Sequence, residues 1–206
     1  MTRNIDELNN IRSVEPREYF KSMGFTDEEI EERLQFTEKA NEIFDLILVL
    51  ILLSDDRSDA FYQELRTDLE SDYLELINEY ADPDDYLIDY AADFSNNFID
   101  STKDHIDDEW YTSQDRSLFN AENSANDVLN YKEYRNAIKD GKTKKEWVSE
   151  KDAKVRNTHR LVDGKKIDIK ELFYVGGVPM RFPKDYEYAE AFPQETVNCR
   201  CRVKYF

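Results

Sequence analysis

The sequence predicts an α+β fold: a mainly helical N-terminal part followed by a small C-terminal domain with a few short antiparallel strands. Three observations carry this. Through the first 140 positions apolar residues recur mostly at three- and four-residue spacing. No glycine or proline lies between Asp84 and Asp140. Four of the five glycines then fall in residues 141–177, and three of the five prolines, Pro179, Pro183 and Pro193, fall in the last 28 residues. The texture changes at Gly141, which divides an acidic helical arm (1–140) from a C-terminal domain (141–206).

Residues 1–25 carry weak signals, a short amphipathic start and then Pro16. Thr26 precedes Asp27-Glu28-Glu29, an N-cap followed by acids that the helix dipole favours. A helix is expected from there to about Leu53. A second follows over Phe61, Leu65, Leu69, Leu76 and Tyr80. A third opens at Pro83, since proline suits a first helical turn, and carries Leu87, Ala91, Phe94, Phe98 and Ile99, with Ile106 and Trp110 extending it. A fourth covers Asp115–Ala137 and stops at Gly141. The arm is expected to be extended, as in a helical hairpin. In the C-terminal domain strands are expected at Lys145–Val148, Leu172–Tyr174, Val178–Phe182 and Arg200–Tyr205. A short helix is expected over Asp152–Leu161, and a tight turn at Asp163-Gly164.

The formal net charge of −18 is unevenly spread. Residues 141–206 hold 15 Lys+Arg and 10 Asp+Glu, a net of +5, which leaves 13 and 36, a net of −23, for residues 1–140. The acidic part repels phosphates at long range, whereas the basic part is able to touch them. The N-terminus has no apolar signal core. The most apolar stretch, Ile43–Leu53, contains Asp45 and falls well short of the roughly 20 residues that span a bilayer. No membrane contact is expected. Because the stretch is apolar all round, the helical period does not say which face it buries; Leu46, Leu48, Leu50 and Leu53 are its candidate partner-binding residues. Cys199 and Cys201 are too close for an unstrained disulfide, which fits a reduced chain.

The informative residues lie late in the chain: Lys145-Glu146-Trp147, Asp152, Val155-Arg156, His159, Asp163-Gly164, Phe173, Pro183, Asp185 and Asn198-Cys199-Arg200-Cys201, followed by Val203. This ordered string resembles the end of the Mu F-like head-morphogenesis proteins of tailed phages. There a Lys–Trp pair, a DxxVRxxH helix, an Asp–Gly turn, a Pro–Asp step and an NCRC motif follow one another at similar distances. Ala121–Asn126 resembles the helix that precedes that domain. The resemblance covers roughly residues 115–206. The chain departs from the pattern at a Gly-containing step, where Lys184 stands between Pro183 and Asp185, leaving a role for Asp185 open. The resemblance implies a minor head protein in the virion head interior, and in the host cytoplasm during assembly. It would contact portal and capsid proteins and handle DNA at packaging or ejection.

The residues themselves leave several chemistries open. On a strand, Cys199 and Cys201 would share one face and Arg200 and Arg202 the other. His159 with the two thiols supplies three zinc ligands, with Asp152, Asp163 or Asp185 as a fourth. Alternatively, the cysteines are small core residues and no cofactor is required. His159, Arg156 and Asp163 would be the residues of a nuclease-like effector, with His159 and Arg156 on one helical face, although a second general acid or base is not evident. His105 reads as a solvated residue. Trp147 and Phe173 are expected as core anchors. Lys142, Lys144, Lys145, Lys165, Lys166, Arg200 and Arg202 would graze DNA phosphates or meet the acidic arm of a neighbouring copy. A third reading makes the acidic arm a DNA-mimic inhibitor.

Overall fold

The computed structural model describes residues 15–189 and 192–206; the amphipathic start expected before residue 15 lies outside them. The helical part comprises α1 (Pro16–Lys21), α2 (Asp27–Leu53), α3 (Asp59–Tyr80), α4 (Asp85–Asp104) and α5 (Gln114–Lys139). The small domain follows with β1 (Lys144–Val148), α6 (Asn157–Arg160), β2 (Lys166–Asp168), β3 (Phe173–Val175), β4 (Val178–Met180), α7 (Tyr186–Ala189), α8 (Pro193–Thr196) and β5 (Arg202–Tyr205). The fold is α+β, as the sequence predicts.

Local chemistry starts each long helix. At α2, Thr26 Oγ1 accepts from the Glu29 N–H while Glu29 Oε2 accepts from the Thr26 N–H at 2.7 Å, closing a capping box. The side chains of Ser58, Asp84 and Ser113 cap α3, α4 and α5 by accepting the N–H of Phe61, Leu87 and Arg116. The expected run of the third helix through Ile106 and Trp110 is corrected: α4 ends at Asp104. Asp108 Oδ1 takes the Trp110 N–H at 2.9 Å, a local bond that competes with the helical ladder. Buried Arg116 then reaches back from α5 to Tyr111 O, Phe98 O, Thr102 Oγ1 and Ser101 Oγ. These bonds tie the start of α5 to the last turns of α4 and to the connection between the two helices.

The arm is not extended. Helix α2 packs on both α3 and α5, and α3 packs on α4. Phe44 of α2 meets Tyr73 of α3 at 5.5 Å between ring centroids and Phe94 of α4 at 4.8 Å. Four helices that each carry an apolar stripe bury more area wrapped around α2 than strung out. The same core takes in Phe182 and Ile169 of the small domain. Phe182 lies 5.5 Å from the Tyr134 ring of α5.

Arg33 is fully buried between α2 and α5. Its guanidinium bonds Asn126 Oδ1 and Asn130 Oδ1 and pairs with Glu133 at 2.7 Å, and it stacks 3.6 Å from the Phe25 ring centroid. Glu122, about one turn before Asn126 on α5, is also buried, and desolvation pushes its carboxyl pKa up to about 7. A carboxyl raised in the folded state contributes its stability below the unfolded value, near 4.3, and loses it as pH rises through 7. The protein is therefore expected to lose on the order of 2–3 kcal/mol between pH 4.5 and 8 from this group alone. Glu122→Gln is expected to flatten that slope in urea melts across the range; an unchanged slope would refute the assignment.

In the small domain three antiparallel strands run in the order β2-β1-β5, and β3-β4 form a separate hairpin. Trp147 in β1 and Phe173 in β3 are fully buried, with ring centroids 5.2 Å apart. Strand β2 was not expected. It is three residues long with one apolar residue, Ile167, and only its pairing with β1 defines it. The last two expected strands are shorter than predicted. β4 stops at Met180 because the Arg181 N–H bonds the Asp185 carboxylate at 2.8 Å instead of a ladder partner. β5 begins at Arg202, after the cysteines have turned inward.

Helix α2 also settles which face its apolar stretch buries. Leu48 faces the core and is corrected as a partner-binding residue. Leu46, Leu50 and Leu53 are exposed, at 55%, 43% and 80%, and Val49 and Leu52 are exposed beside them.

Candidate functional site

Three motif residues, His159, Cys199 and Cys201, meet in the small domain. The expected helix over Asp152–Leu161 contracts to α6, Asn157–Arg160. The chain before it turns instead, because the Asp152 carboxylate accepts the Lys154 N–H at 2.9 Å and is gripped by Arg200 Nη2 through both oxygens at 2.7 Å. That charge-assisted pair lowers the Asp152 pKa. Arg156 thereby becomes the extended N-cap residue and does not share a helical face with His159. Its guanidinium donates to the Val197 carbonyl.

On the other side, Asn198 adopts a left-handed conformation (φ 56°) that asparagine tolerates better than most residues. This turns Cys199 and Cys201 inward, both buried. The face alternation expected of a strand is thus reached without one, and Arg200 points instead to Asp152. His159 Nδ1 lies 3.3 Å from Cys201 Sγ and 3.5 Å from Cys199 Sγ. Its Nε2 lies 3.1 Å from Glu195 Oε2, which also accepts from Thr158 Oγ1 at 2.8 Å. Gly176 makes room for this carboxylate: a Cβ there would stand 2.5 Å from Glu195 Oε1, and its φ of +60° disfavours a side chain besides.

The electrostatics couple the three groups. Burial opposes a charged imidazole, but the hydrogen bond and charge of Cys199 outweigh it, so the His159 pKa is raised. The Cys199 thiol is held well below its ordinary pKa by hydrogen bonds from Cys201 and His159, against its burial. Cys201, beside that thiolate and desolvated, is pushed up.

Asp152, Asp163 and Asp185, each expected as a fourth metal ligand, are not in the cluster. Asp163 takes the Ser149 N–H at 2.7 Å, and Gly164, at φ 74°, donates to the Trp147 carbonyl at 2.8 Å, so the expected Asp–Gly turn is stitched onto β1. Asp185 is fully buried and accepts from the Arg181 backbone N–H, Nε and Nη2 at 2.7–2.8 Å. Pro183 offers its carbonyl to Asn130 of α5 at 3.1 Å. Lys184 occupies a left-handed position (φ 65°), the conformation glycine adopts freely, and its ammonium reaches Asn123 and the carboxylate of Asp127 at 3.1 Å. The Pro183–Asp185 step therefore docks the small domain on the helices. The nuclease set does not converge either: His159 is 1% exposed, and Arg156 and Asp163 are spent on backbone groups. His105 caps α4 with its ring stacked 4.2 Å from Tyr111. Lys145, expected from sequence among the lysines that graze DNA, is instead buried and donates to the Arg181 carbonyl at 2.8 Å. Sequence reasoning missed Glu195 and Thr158; the only local signal was Pro193, well placed to open the short α8 that carries Glu195.

Residues 95–204 match the family described as Phage Mu protein F like protein, and the chain belongs to that family. The match begins within α4 and contains every residue of the cluster. Among curated proteins the chain is similar to an NAD(+)–arginine ADP-ribosyltransferase, EFV, of Enterococcus faecalis (strain ATCC 700802 / V583), with 38% identity over 58 residues. That stretch is 28% of this chain and spans 11% of the relative's length. No solved structure matches the chain. Membership in the family points to a phage head morphogenesis protein and to the virion as its setting. Among the described residues no helix is long and apolar enough to cross a membrane.

Proposed function

We propose that the chain is a minor head protein that acts in head assembly by docking on the portal through the C-terminal end of α2. The observation behind this reading is the exposure of Leu46, Val49, Leu50, Leu52 and Leu53 on one helix end of an otherwise highly charged protein. Contiguous exposed apolar side chains rimmed by polar ones mark interaction sites, and an apolar helix stripe fits a groove on a partner. Exposed Lys142, Lys144, Lys165 and Lys166 support a second, sequence-independent contact with DNA phosphates at packaging or ejection.

The test is co-purification with the portal protein of the same phage. Leu50→Glu with Leu53→Glu is expected to lower portal capture at least about tenfold, since a buried carboxylate without a partner costs well over 1.4 kcal/mol. Capture by the unmodified chain should change little with salt. Undiminished capture by the double variant would refute the apolar contact. Capture that collapses as salt rises would instead support the acidic-mimic reading, in which charge carries the binding.

A further inference from the structure

We propose that Cys199, Cys201 and His159 bind one zinc ion through Sγ, Sγ and Nδ1, as a structural staple of the small domain. The inference does not depend on the portal reading.

The donors are already placed for it. The three atoms lie within 4.8 Å of one another, and all three residues are buried. In a tetrahedral zinc site with the usual bond lengths, a nitrogen and a sulfur donor stand about 3.5 Å apart. The observed separations from Nδ1 to the two sulfurs are 3.3 and 3.5 Å. Both sulfurs converge on the same ring nitrogen, and a cation among the three donors would serve all of them.

The surroundings orient the ligands as a metal site requires. Glu195 holds Nε2 at 3.1 Å and is itself held by Thr158 at 2.8 Å. A carboxylate on the far nitrogen keeps the proton on Nε2 and leaves the Nδ1 lone pair facing the sulfurs, the arrangement seen behind metal-bound histidines. A crevice of about 10 Å³, lined in part by Lys154, Arg156, Asn198 and Arg200, reaches the cluster. That volume is about one water molecule. Among the described residues no fourth His, Cys, Asp or Glu joins the three, so the fourth position goes to water.

Two thiolates and an imidazole select a soft or borderline ion over magnesium or calcium. The two thiolates neutralise the ion's charge, and any thiol proton present leaves to solvent. The ion would tie α6 to the segment ahead of β5, adding a cross-link to a small core.

The experiment uses the full chain, purified without a metal-affinity step. Elemental analysis is expected to find one zinc per chain. Cobalt exchanged into the site is expected to give thiolate-to-cobalt charge-transfer absorption that saturates at one equivalent. Cys199→Ser and His159→Ala should abolish that band. Since these buried changes also threaten folding, Glu195→Gln provides a milder variant: it should keep the one-equivalent stoichiometry while weakening affinity about 10–100-fold. A folded wild-type chain with no zinc and no thiolate band at saturating cobalt would overturn the proposal. So would a folded Cys199→Ser chain with an undiminished band, or a Glu195→Gln chain with unchanged affinity.

Discussion

Replacing Trp147 with alanine is expected to lower the unfolding free energy by about 3–5 kcal/mol, the usual loss for a large buried aromatic. The side chain is fully buried in the central strand of the three-stranded sheet. It meets the Phe173 ring edge-on at 5.2 Å and the His159 ring at 5.9 Å. Its removal opens a cavity beside both Phe173 and the His159–cysteine cluster. Trp147→Phe should cost clearly less, because it keeps an aromatic in the same place. Urea melts of the two variants decide the matter. A loss below about 1 kcal/mol for alanine would mean that the small domain is anchored elsewhere.

The second large effect is expected at Arg33. Arg33→Met keeps the apolar stem but removes the guanidinium that serves Asn126, Asn130 and Glu133. Breaking a buried pair by deleting one partner costs about 3–5 kcal/mol, since the other charge stays behind. Here the low end applies, because the Glu133 side chain keeps 27% of its surface in water. Burial already raises the Glu133 carboxyl pKa and Arg33 pulls it back. Without Arg33 it rises further, and a raised carboxyl is stabilising only while protonated. The deficit of Arg33→Met should therefore be larger at pH 8 than at pH 5, and adding Glu133→Gln should recover much of it. A deficit independent of pH would show that lost packing against Phe25, and not the stranded carboxylate, is the cause.

The long helices were legible because their signals are local. Thr26 and Glu29 cap one another within four residues, and the texture change at Gly141 marks the end of α5 to within a residue or two. The helix break at 105–113 was not legible: the apolar period continues through Ile106 and Trp110 while Asp108 interrupts the ladder with its side chain. Nor did α2 betray its faces, since Leu46 and Leu48 are chemically alike and only packing against α3 and α5 buries one of them. In the cluster, Cys199, Cys201 and His159 could be singled out by residue type. Glu195 could not, because its role comes from a turn that brings α8 beside α6. Lys145 was likewise expected to face DNA, and no local signal marks Arg33 as buried; long side chains with polar ends can be buried when the fold supplies their partners.

Strand β1 has two neighbours of very different provenance. One, β2, is made soon after it; the other, β5, pairs Trp147 with Val203 and Val148 with Arg202, more than fifty positions later. Contacts between distant positions must wait for the chain between them, and they form slowly. The backbone bonds of the helices, being local, carry no such requirement. The thiols stand just ahead of β5, so they reach His159 with that same pairing. One strand pairing, made late in the chain, thus both seals the sheet and sets the two thiols against His159.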